Sequence, residues 1–300
     1  MTTILHPQKT DLDRVYDFMT ACDIEEFGKG DTSREDLDQQ WEEYDLQRDV
    51  WIACDDSGKI LAYAGVYGYE ERFTLEMYLH RRLTPIGVED ELAAFCLKRV
   101  NELAATKPGV TCTVNAFASS TDTRLQQLFE RNGFVRKTFH YRMQIDFDQP
   151  LEKPEWPEKY SLSAYIDNDE DELYELVTAV FDWEGHITPS LETWRDLVFR
   201  GGRYDPEYFV IVREGNRLVG AALTYAEDAG GWIRQLAIAK DQQGKGLGGL
   251  LLRHMFWMFF NAGLNNCALG MASANRNAGQ FYEHNGMKKT REFIEYWKTL

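Results

Sequence analysis

Residues 236–248, Leu-Ala-Ile-Ala-Lys-Asp-Gln-Gln-Gly-Lys-Gly-Leu-Gly, constrain this chain more than any other stretch. An apolar strand runs into a glycine-rich turn, and the turn opens a long apolar helix. A helix start leaves several backbone N–H groups without intrahelical partners. The aligned peptide dipoles add partial positive charge at the same place. Glycines let a diphosphate approach that backbone closely. The segment therefore predicts a site for a phosphorylated ligand.

Three kinds of glycine loop compete for it. The P-loop pattern needs Lys-Ser or Lys-Thr after its glycines, and neither dipeptide follows here. Gly244, Gly246 and Gly249 satisfy G-x-G-x-x-G. That dinucleotide fingerprint also needs an acidic residue about 20 positions on, to hold a ribose. No Asp or Glu occurs between Asp241 and Glu283, so the nicotinamide reading lacks its second half. The third kind fits. Gln243-Gly244-Lys245-Gly246-Leu247-Gly248 resembles the [Q/R]-x-x-G-x-[G/A] loop of the GCN5-related N-acetyltransferases (GNAT). Asn275, Ala278, Tyr282 and Gly286-Met287 resemble that family's N-x-x-A-x-x-x-Y-x-x-x-G-F element, with Met in place of Phe. The two motifs stand in the family's order, with a strand expected between them at Ala268–Ala272.

Charge points the same way. The 300 residues carry 33 basic and 49 acidic side chains, net −16. Segment 241–291 reverses that balance, with Lys245, Arg253, Arg276, Lys288, Lys289 and Arg291 against Asp241 and Glu283. A local positive field steers an anionic co-substrate. The overall negative charge argues against nucleic acid, which needs a basic footprint. Five scattered cysteines show neither C-x-x-C nor Cys/His ligand spacing, so we expect no metal site and a reducing, cytoplasmic setting. The Met-Thr-Thr start reaches Asp11 quickly, without the pattern of a signal peptide. The most apolar run, Leu247–Phe260, is too short to span a bilayer and contains Arg253 and His254.

The chain reads as two similar halves. Asp148–Lys159 holds three prolines among charges, the composition of a stiff linker. Val50–Val66 and Tyr208–Tyr225 each read as strand, turn, strand. Phe73–Leu79 then Val88–Ala105, and Trp232–Ile238 then Leu247–Ala262, each read as strand, turn and apolar helix. Strands at Val110–Phe117 and Ala268–Ala272 follow. Each half closes with a helix ending in Asn-Gly (Asn132-Gly133, Asn285-Gly286), a left-handed helix stop, and a final strand. The repeat is about 155 residues long. The fold expected is α/β: two tandem GNAT-type domains, each a mixed, mostly antiparallel sheet flanked by helices. The boundaries expected are 1–147, a linker at 148–159, and 160–300.

The first copy lacks the loop chemistry. Arg82-Leu83-Thr84-Pro85-Ile86-Gly87 occupies the loop position, with Pro85 set against Gly246, and proline has no N–H to donate. Glu89, Asp90 and Glu91 would repel a diphosphate. Phe129 stands where the second copy has Tyr282. Tandem domains with a worn first copy resemble the mycothiol synthase-like branch. Phe181-Asp182-Trp183 with Gly185-His186, and Asp205-Pro206-Glu207, resemble that branch's second domain.

The resemblance implies acetyl-CoA as co-substrate and direct attack by a primary amine of a small molecule. It implies that Leu236, Ala237 and Ile238 offer backbone groups to the pantetheine and thioester. It implies that Gln243, Gly244, Lys245, Gly246, Leu247 and Gly248 hold the diphosphate, that Asn275 binds on the cofactor side, and that Tyr282 protonates the leaving sulfur. A phenol of pKa about 10 is protonated at neutral pH. Tyr282 could alternatively be packing, and Asn275 a helix-starting turn residue. The branch places a glutamate base on the central strand, but here Trp232, Arg234 and Gln235 occupy that region. Glu227 is the base candidate, with Asp228, Glu184, His186 and the Leu300 carboxylate behind it. Trp183 and Trp194 are candidates for an aromatic acceptor wall, or for core. The competing class is a non-catalytic acyl-CoA-binding or sensing protein. The acceptor and the oligomeric state are not legible in the sequence.

Overall fold

A computed structural model describes residues 2–30, 32–69, 71–181, 189–199, 204–227 and 230–300. The first half contains β1 (Thr3–Leu5), α1 (Leu12–Phe27), α2 (Arg34–Glu43), α3 (Leu46–Asp49), β2 (Val50–Cys54), β3 (Ile60–Tyr69) and β4 (Arg72–Leu79). It continues with α4 (Val88–Ala105), β5 (Thr113–Ser119), α5 (Thr123–Arg131) and β6 (Val135–Asp146). The second half contains β7 (Tyr160–Ala164), α6 (Glu170–Phe181), α7 (Leu191–Phe199), β8 (Phe209–Glu214), β9 (Arg217–Glu227) and β10 (Gly230–Ile238). It closes with α8 (Leu247–Asn261), β11 (Asn266–Ala272), α9 (Arg276–His284) and β12 (Lys288–Thr299).

The chain forms two compact units. Unit 1 is Met1–His140 with Arg291–Leu300, and unit 2 is Tyr141–Thr290. The contiguous division at 148–159 differs from this in one respect, the fate of the closing strands. In unit 1, β5 pairs antiparallel with the end of the chain, Phe293 opposite Ser119 through Thr299 opposite Thr113. In unit 2, the neighbour of β11 is β6, supplied by the first half. Each half thus gives its final strand to the other half's sheet. Local periodicity carries no information about a pairing partner some 180 residues away, because the pleat repeats every two residues whichever strand lies alongside. Residues 147–159 contain no helix or strand. They are not free, since Leu151 and Trp156 pack on the unit 2 core.

Within unit 1, β1 to β4 are successive antiparallel neighbours, and β4 and β5 are parallel. The strand β4 alternates, burying Phe73, Leu75, Met77 and Leu79. The helix α4 buries Val88, Leu92, Ala93, Cys96 and Val100, a single face at helical spacing. Within unit 2, β7 to β10 are antiparallel neighbours and β10 and β11 are parallel. Helix α8 lays Leu251, Leu252, Met255, Phe256 and Phe259 into the core beneath this sheet. Gly231 permits that approach, because a Cβ there would fall inside the Phe259 ring. Among the described residues no helix is long and apolar enough to cross a membrane, and no group of His, Cys, Asp or Glu is arranged to hold a metal ion.

Candidate functional site

The glycine loop is built from its anchors upward. Ala239 N–H donates to Val219 O at 2.9 Å, fixing the end of β10 to β9. Gln243 Nε2 donates to Ile238 O at 3.0 Å and folds the loop back on the strand end. Buried Gln242 accepts from the Tyr160 hydroxyl at 3.1 Å and from Lys245 Nζ at 3.4 Å, and donates to Glu214 at 2.9 Å. Sequence reasoning missed Gln242; a glutamine beside the motif carries no signal until its burial is known. Asp241, the loop's single acid, is turned to Arg217 by two bonds of 2.7 and 2.8 Å, which hold its carboxyl down at about 2. The negative charge next to the helix start is thereby paired.

Gly246 is the N-cap of α8 at φ 82°, with Gly244 at φ 74° two residues before it. Both take the left-handed conformation that glycine adopts without strain. No side chain caps this helix, and its first turn contains no acid. Gln243, Gly244, Lys245 and Gly246 are exposed, while Leu247 is buried and anchors the turn. Exposed N–H groups, a helix dipole and a lysine at one place suit a diphosphate. A Cβ on Gly248 would meet Phe281 at 3.5 Å and Ile238 at 3.6 Å, so the first turn of α8 lies against α9 and the end of β10.

The strands open beside this loop. Parallel register between β10 and β11 covers only Gly231–Ile233 against Cys267–Leu269. A bulge at Arg234 then shifts β10 against β9, and Gln235–Ile238 remain registered with Leu223–Gly220 on that side alone. The β11-facing edge of Leu236, Ala237 and Ile238 therefore has no strand partner. That open edge is the fit expected for an extended amide-bearing arm.

Helix α9 brings up the second motif. Asn275 is its N-cap, and its Oδ1 accepts the Ala278 N–H at 3.1 Å. The helix-starting reading of Asn275 is thus built into the fold, and its amide nitrogen is the group left for a ligand. Tyr282, seven residues on, packs on the unit 2 core and beside Phe281. Burial, and then the nearby Cys267 thiol, push its hydroxyl up to about 12. Among the described residues no side-chain hydrogen bond engages that hydroxyl. It is a protonated phenol at neutral pH.

Other candidates lie elsewhere. Glu227 ends β9 opposite Gly230, five residues before Gln235 along β10, or about 16 Å away. The structure does not bring it to the open edge. Asp228, Trp183, Glu184 and His186 lie outside the described residues. Trp194 is buried core, though its Nε1 donates to Gln235 Oε1 at 3.1 Å. Leu300 belongs to unit 1, where its N–H donates to Cys112 O, so its carboxylate is not part of the unit 2 site. Arg291 also leaves the basic segment for unit 1, where it lies over the Phe27 ring.

Unit 1 corrects one alignment. Gly87, at φ 97°, is the N-cap of α4, so it is the counterpart of Gly246, and Pro85 is the counterpart of Gly244. The motif spacing alone had set Pro85 two residues too late. The anion cradle of α4 is filled from within. Glu89 is 4% exposed; its Oε2 accepts the Gly87 N–H at 2.9 Å, and Arg124 binds it at 2.6 and 3.1 Å. Burial alone would raise this carboxyl, but those hydrogen bonds hold it below its ordinary value. Phe129 occupies the position in α5 that Tyr282 occupies in α9, the seventh residue of each helix.

Residues 153–287 match the model of the Acetyltransferase (GNAT) family. Among curated proteins none matches the chain. A GCN5-related N-acetyltransferase from Sphaerobacter thermophilus is similar in fold at 24% identity and TM-score 0.85, covering 99% of this chain and 95% of that one. A tandem GNAT protein from the clavulanic acid biosynthesis pathway is similar at 13% identity and TM-score 0.71, covering 100% and 98%. Saccharomyces cerevisiae N-myristoyltransferase with bound myristoyl-CoA is similar at 12% identity and TM-score 0.68, covering 99% and 78%. Residues 153–287 thus match the Acetyltransferase (GNAT) model, and the likeness to these solved structures shows that the chain shares their fold.

Proposed function

We propose that unit 2 transfers the acetyl group of acetyl-CoA to a primary amine of a small molecule by direct attack, with Tyr282 as general acid. The observation that carries this reading is the neutral, inward phenol of Tyr282 on the helix that packs against the uncapped start of α8. When bound, acetyl-CoA supplies a thioester whose carbonyl carbon bonds to the amine nitrogen as its carbon–sulfur bond breaks. Gln243, Gly244, Lys245, Gly246, Leu247 and Gly248 hold the diphosphate through backbone N–H groups and the lysine ammonium. The open edge of Leu236, Ala237 and Ile238 aligns the arm and donates to the oxygen that gains charge. Tyr282 gives its proton to the departing sulfur and recovers one from water. The Asn275 amide nitrogen donates on the cofactor side.

The amine must also lose a proton. No carboxylate lies on β10, and Gln235, which occupies the inner position, has no basic site. Glu227 would act only through a chain of waters. E227Q tests this: a loss of under about threefold in kcat/KM leaves the amine to arrive neutral from solution, with a rate that rises with pH up to the amine's own pKa.

The position of Gln235 is also what favours the second reading, a non-catalytic acyl-CoA-binding or sensing protein. Thiol release from acetyl-CoA across a panel of small amines separates the two. Under the first, Tyr282→Phe lowers kcat by about a hundredfold while acetyl-CoA affinity stays within twofold. Equal turnover in wild type and Y282F removes the acid role; no turnover with any amine, with binding intact, favours the sensor.

A further inference from the structure

Unit 1 has parted strands of its own. Parallel register between β4 and β5 covers Arg72–Leu75 against Thr113–Ala116 and stops there. A cavity of about 200 Å³ opens at the gap. One ordered water needs on the order of 15 Å³ on such a measure, so this space suits a small organic molecule. Its lining has two chemistries. Phe27, Tyr67, Tyr78, Phe117 and Phe293 supply aromatic walls. Asp23, Glu26, Glu76 and Asp122 supply carboxyl groups, and no Lys, Arg or His is among the lining residues.

The duplication shows which of these groups is in a special position. Glu76 lies opposite Gly65, three residues before Leu79, which lies opposite Ala62. Gln235 lies opposite Leu223, three residues before Ile238, which lies opposite Gly220. The two are the same position in the two copies. Gln235 is engaged by the indole N–H of Trp194. Glu76 faces the cavity, and its Oε2 accepts one long bond, 3.3 Å, from Gln40. Among the described residues its Oε1 has no partner. The other three carboxyl groups are committed within the fold: Asp23 accepts from Thr32 at 2.8 and 2.9 Å, Glu26 from Thr121 at 2.8 Å, and Asp122 caps α5. Phe117 stands 40% exposed, an unusual state for a phenylalanine lining a cavity.

The cavity does not suit the ligand class of unit 2. Glu89 with Arg124 occupies the helix start that would take a phosphate, and Pro85 removes a donor. Glu26 is paired with Arg81 at 3.4 Å, and the excess of carboxyl groups over cations at this lining disfavours an anion. Aromatic and carboxyl groups lining one cavity suit an ammonium on an apolar body. We propose that the parted strands of unit 1 form a binding site for a small organic cation, with Glu76 as its counter-ion and the Tyr67 and Phe117 rings flanking its apolar part. Burial raises the Glu76 carboxyl to about 7, against the Gln40 hydrogen bond and with a smaller push from Asp23. An ammonium entering beside it removes that penalty.

The test is calorimetric titration of the full chain, without acetyl-CoA, using tyramine, phenethylamine and cadaverine, with para-ethylphenol as the neutral control. The expected result is one site per chain for at least one aryl amine, none for para-ethylphenol, and at least tenfold weaker binding in Glu76→Gln. Phe117→Ala, an exposed position at the cavity, is expected to weaken the aryl amines severalfold and serves if E76Q does not fold. Protection of the buried unit 1 cysteines Cys22, Cys96 and Cys112 from thiol labelling, equal to wild type, shows that each variant is intact. Equal binding to wild type and E76Q, equal binding of para-ethylphenol, or no binding of any of the three amines at millimolar concentration overturns the proposal.

Discussion

Glu76→Gln in the ligand-free protein has an effect whose sign and size follow from its surroundings. The carboxyl has an ordinary value of 4.5 and is raised to about 7 in the folded chain, chiefly by burial. Between those values the folded state holds a proton that the unfolded state has lost. Stability of unit 1 therefore falls as pH rises from 4.5 to 7, and the loss is complete above 7. The displacement corresponds to roughly 3 kcal/mol. Gln40 continues to donate to the amide oxygen of the substituted side chain, so the replacement removes the charge and little else. The groups facing it, Asp23, Glu26, Asp122, Tyr67, Tyr78 and Cys22, are unchanged. Near pH 5, E76Q should match wild type; near pH 8 it should be more stable by up to roughly 3 kcal/mol. The cysteines allow the two units to be read separately: Cys22, Cys54, Cys96 and Cys112 are buried in unit 1 and Cys267 in unit 2. Urea unfolding followed by pulsed labelling with a pyridyl disulfide and mass spectrometry gives a midpoint for each unit. Equal unit 1 midpoints for E76Q and wild type near pH 8, or a difference that grows toward acid, would refute the reasoning.

Three further outcomes are expected. Gly246→Ala places an L-residue at φ 82° and should cost about 1 kcal/mol of unit 2 stability and weaken acetyl-CoA binding, whereas Gly87→Ala, at φ 97°, should cost a similar amount in unit 1 and leave that binding unchanged. Asn275→Asp preserves the cap on Ala278 but replaces the amide donor with a charge, so melting should hold while acetyl-CoA affinity falls; loss of both would make the residue structural only. His254 is held neutral in unit 2, lowered from 6.5 to about 4 by burial and then by Lys153. The folded state thus binds fewer protons than the unfolded state across that window, so unit 2 loses stability as pH falls from 6.5 to 4, and His254→Gln should flatten the Cys267 labelling midpoint over the same range.

Much of this was legible because it is local. The helices at 88–105 and 247–261, the turns that precede them and the Asn-Gly stops depend on spacing within one or two turns of chain. Gly133 and Gly286 take the left-handed stop at φ 81° and 90°. What was hidden is non-local. The exchange of β6 and β12 depends on which edge each strand meets. Leu300 and Arg291 were assigned to the wrong unit for that reason. Glu227 is close to β10 in sequence, yet a strand extends about 3.3 Å per residue, and a hairpin puts its turn at the far end from the loop. Glu76 escaped notice because a lone glutamate on an alternating strand reads as a solvated face. Only the parting of β4 from β5 turns that face into a cavity wall.

The two copies depart from one plan in opposite directions. Unit 2 retains an uncapped, acid-free helix start and has Gln235 where a carboxyl could stand. Unit 1 retains the carboxyl, Glu76, and has closed its helix start with Glu89 and Arg124. The closure involves more than Pro85. Glu89 accepts from the very N–H that Gly87 would offer a phosphate, and Arg124 reaches from α5 to bind both Glu89 and the Thr84 and Pro85 carbonyls. Arg124 therefore ties the loop, the helix start and α5 into one paired network. Restoring a glycine at Pro85 would return one donor and leave that network intact. A buried carboxylate so paired is costly to displace, because removing one partner strands the other's charge. The plan shared by both copies is the pair of parallel strands that separate after three or four residues; the copies differ in which charged or polar group stands at that opening, Glu76 in one and Gln235 in the other.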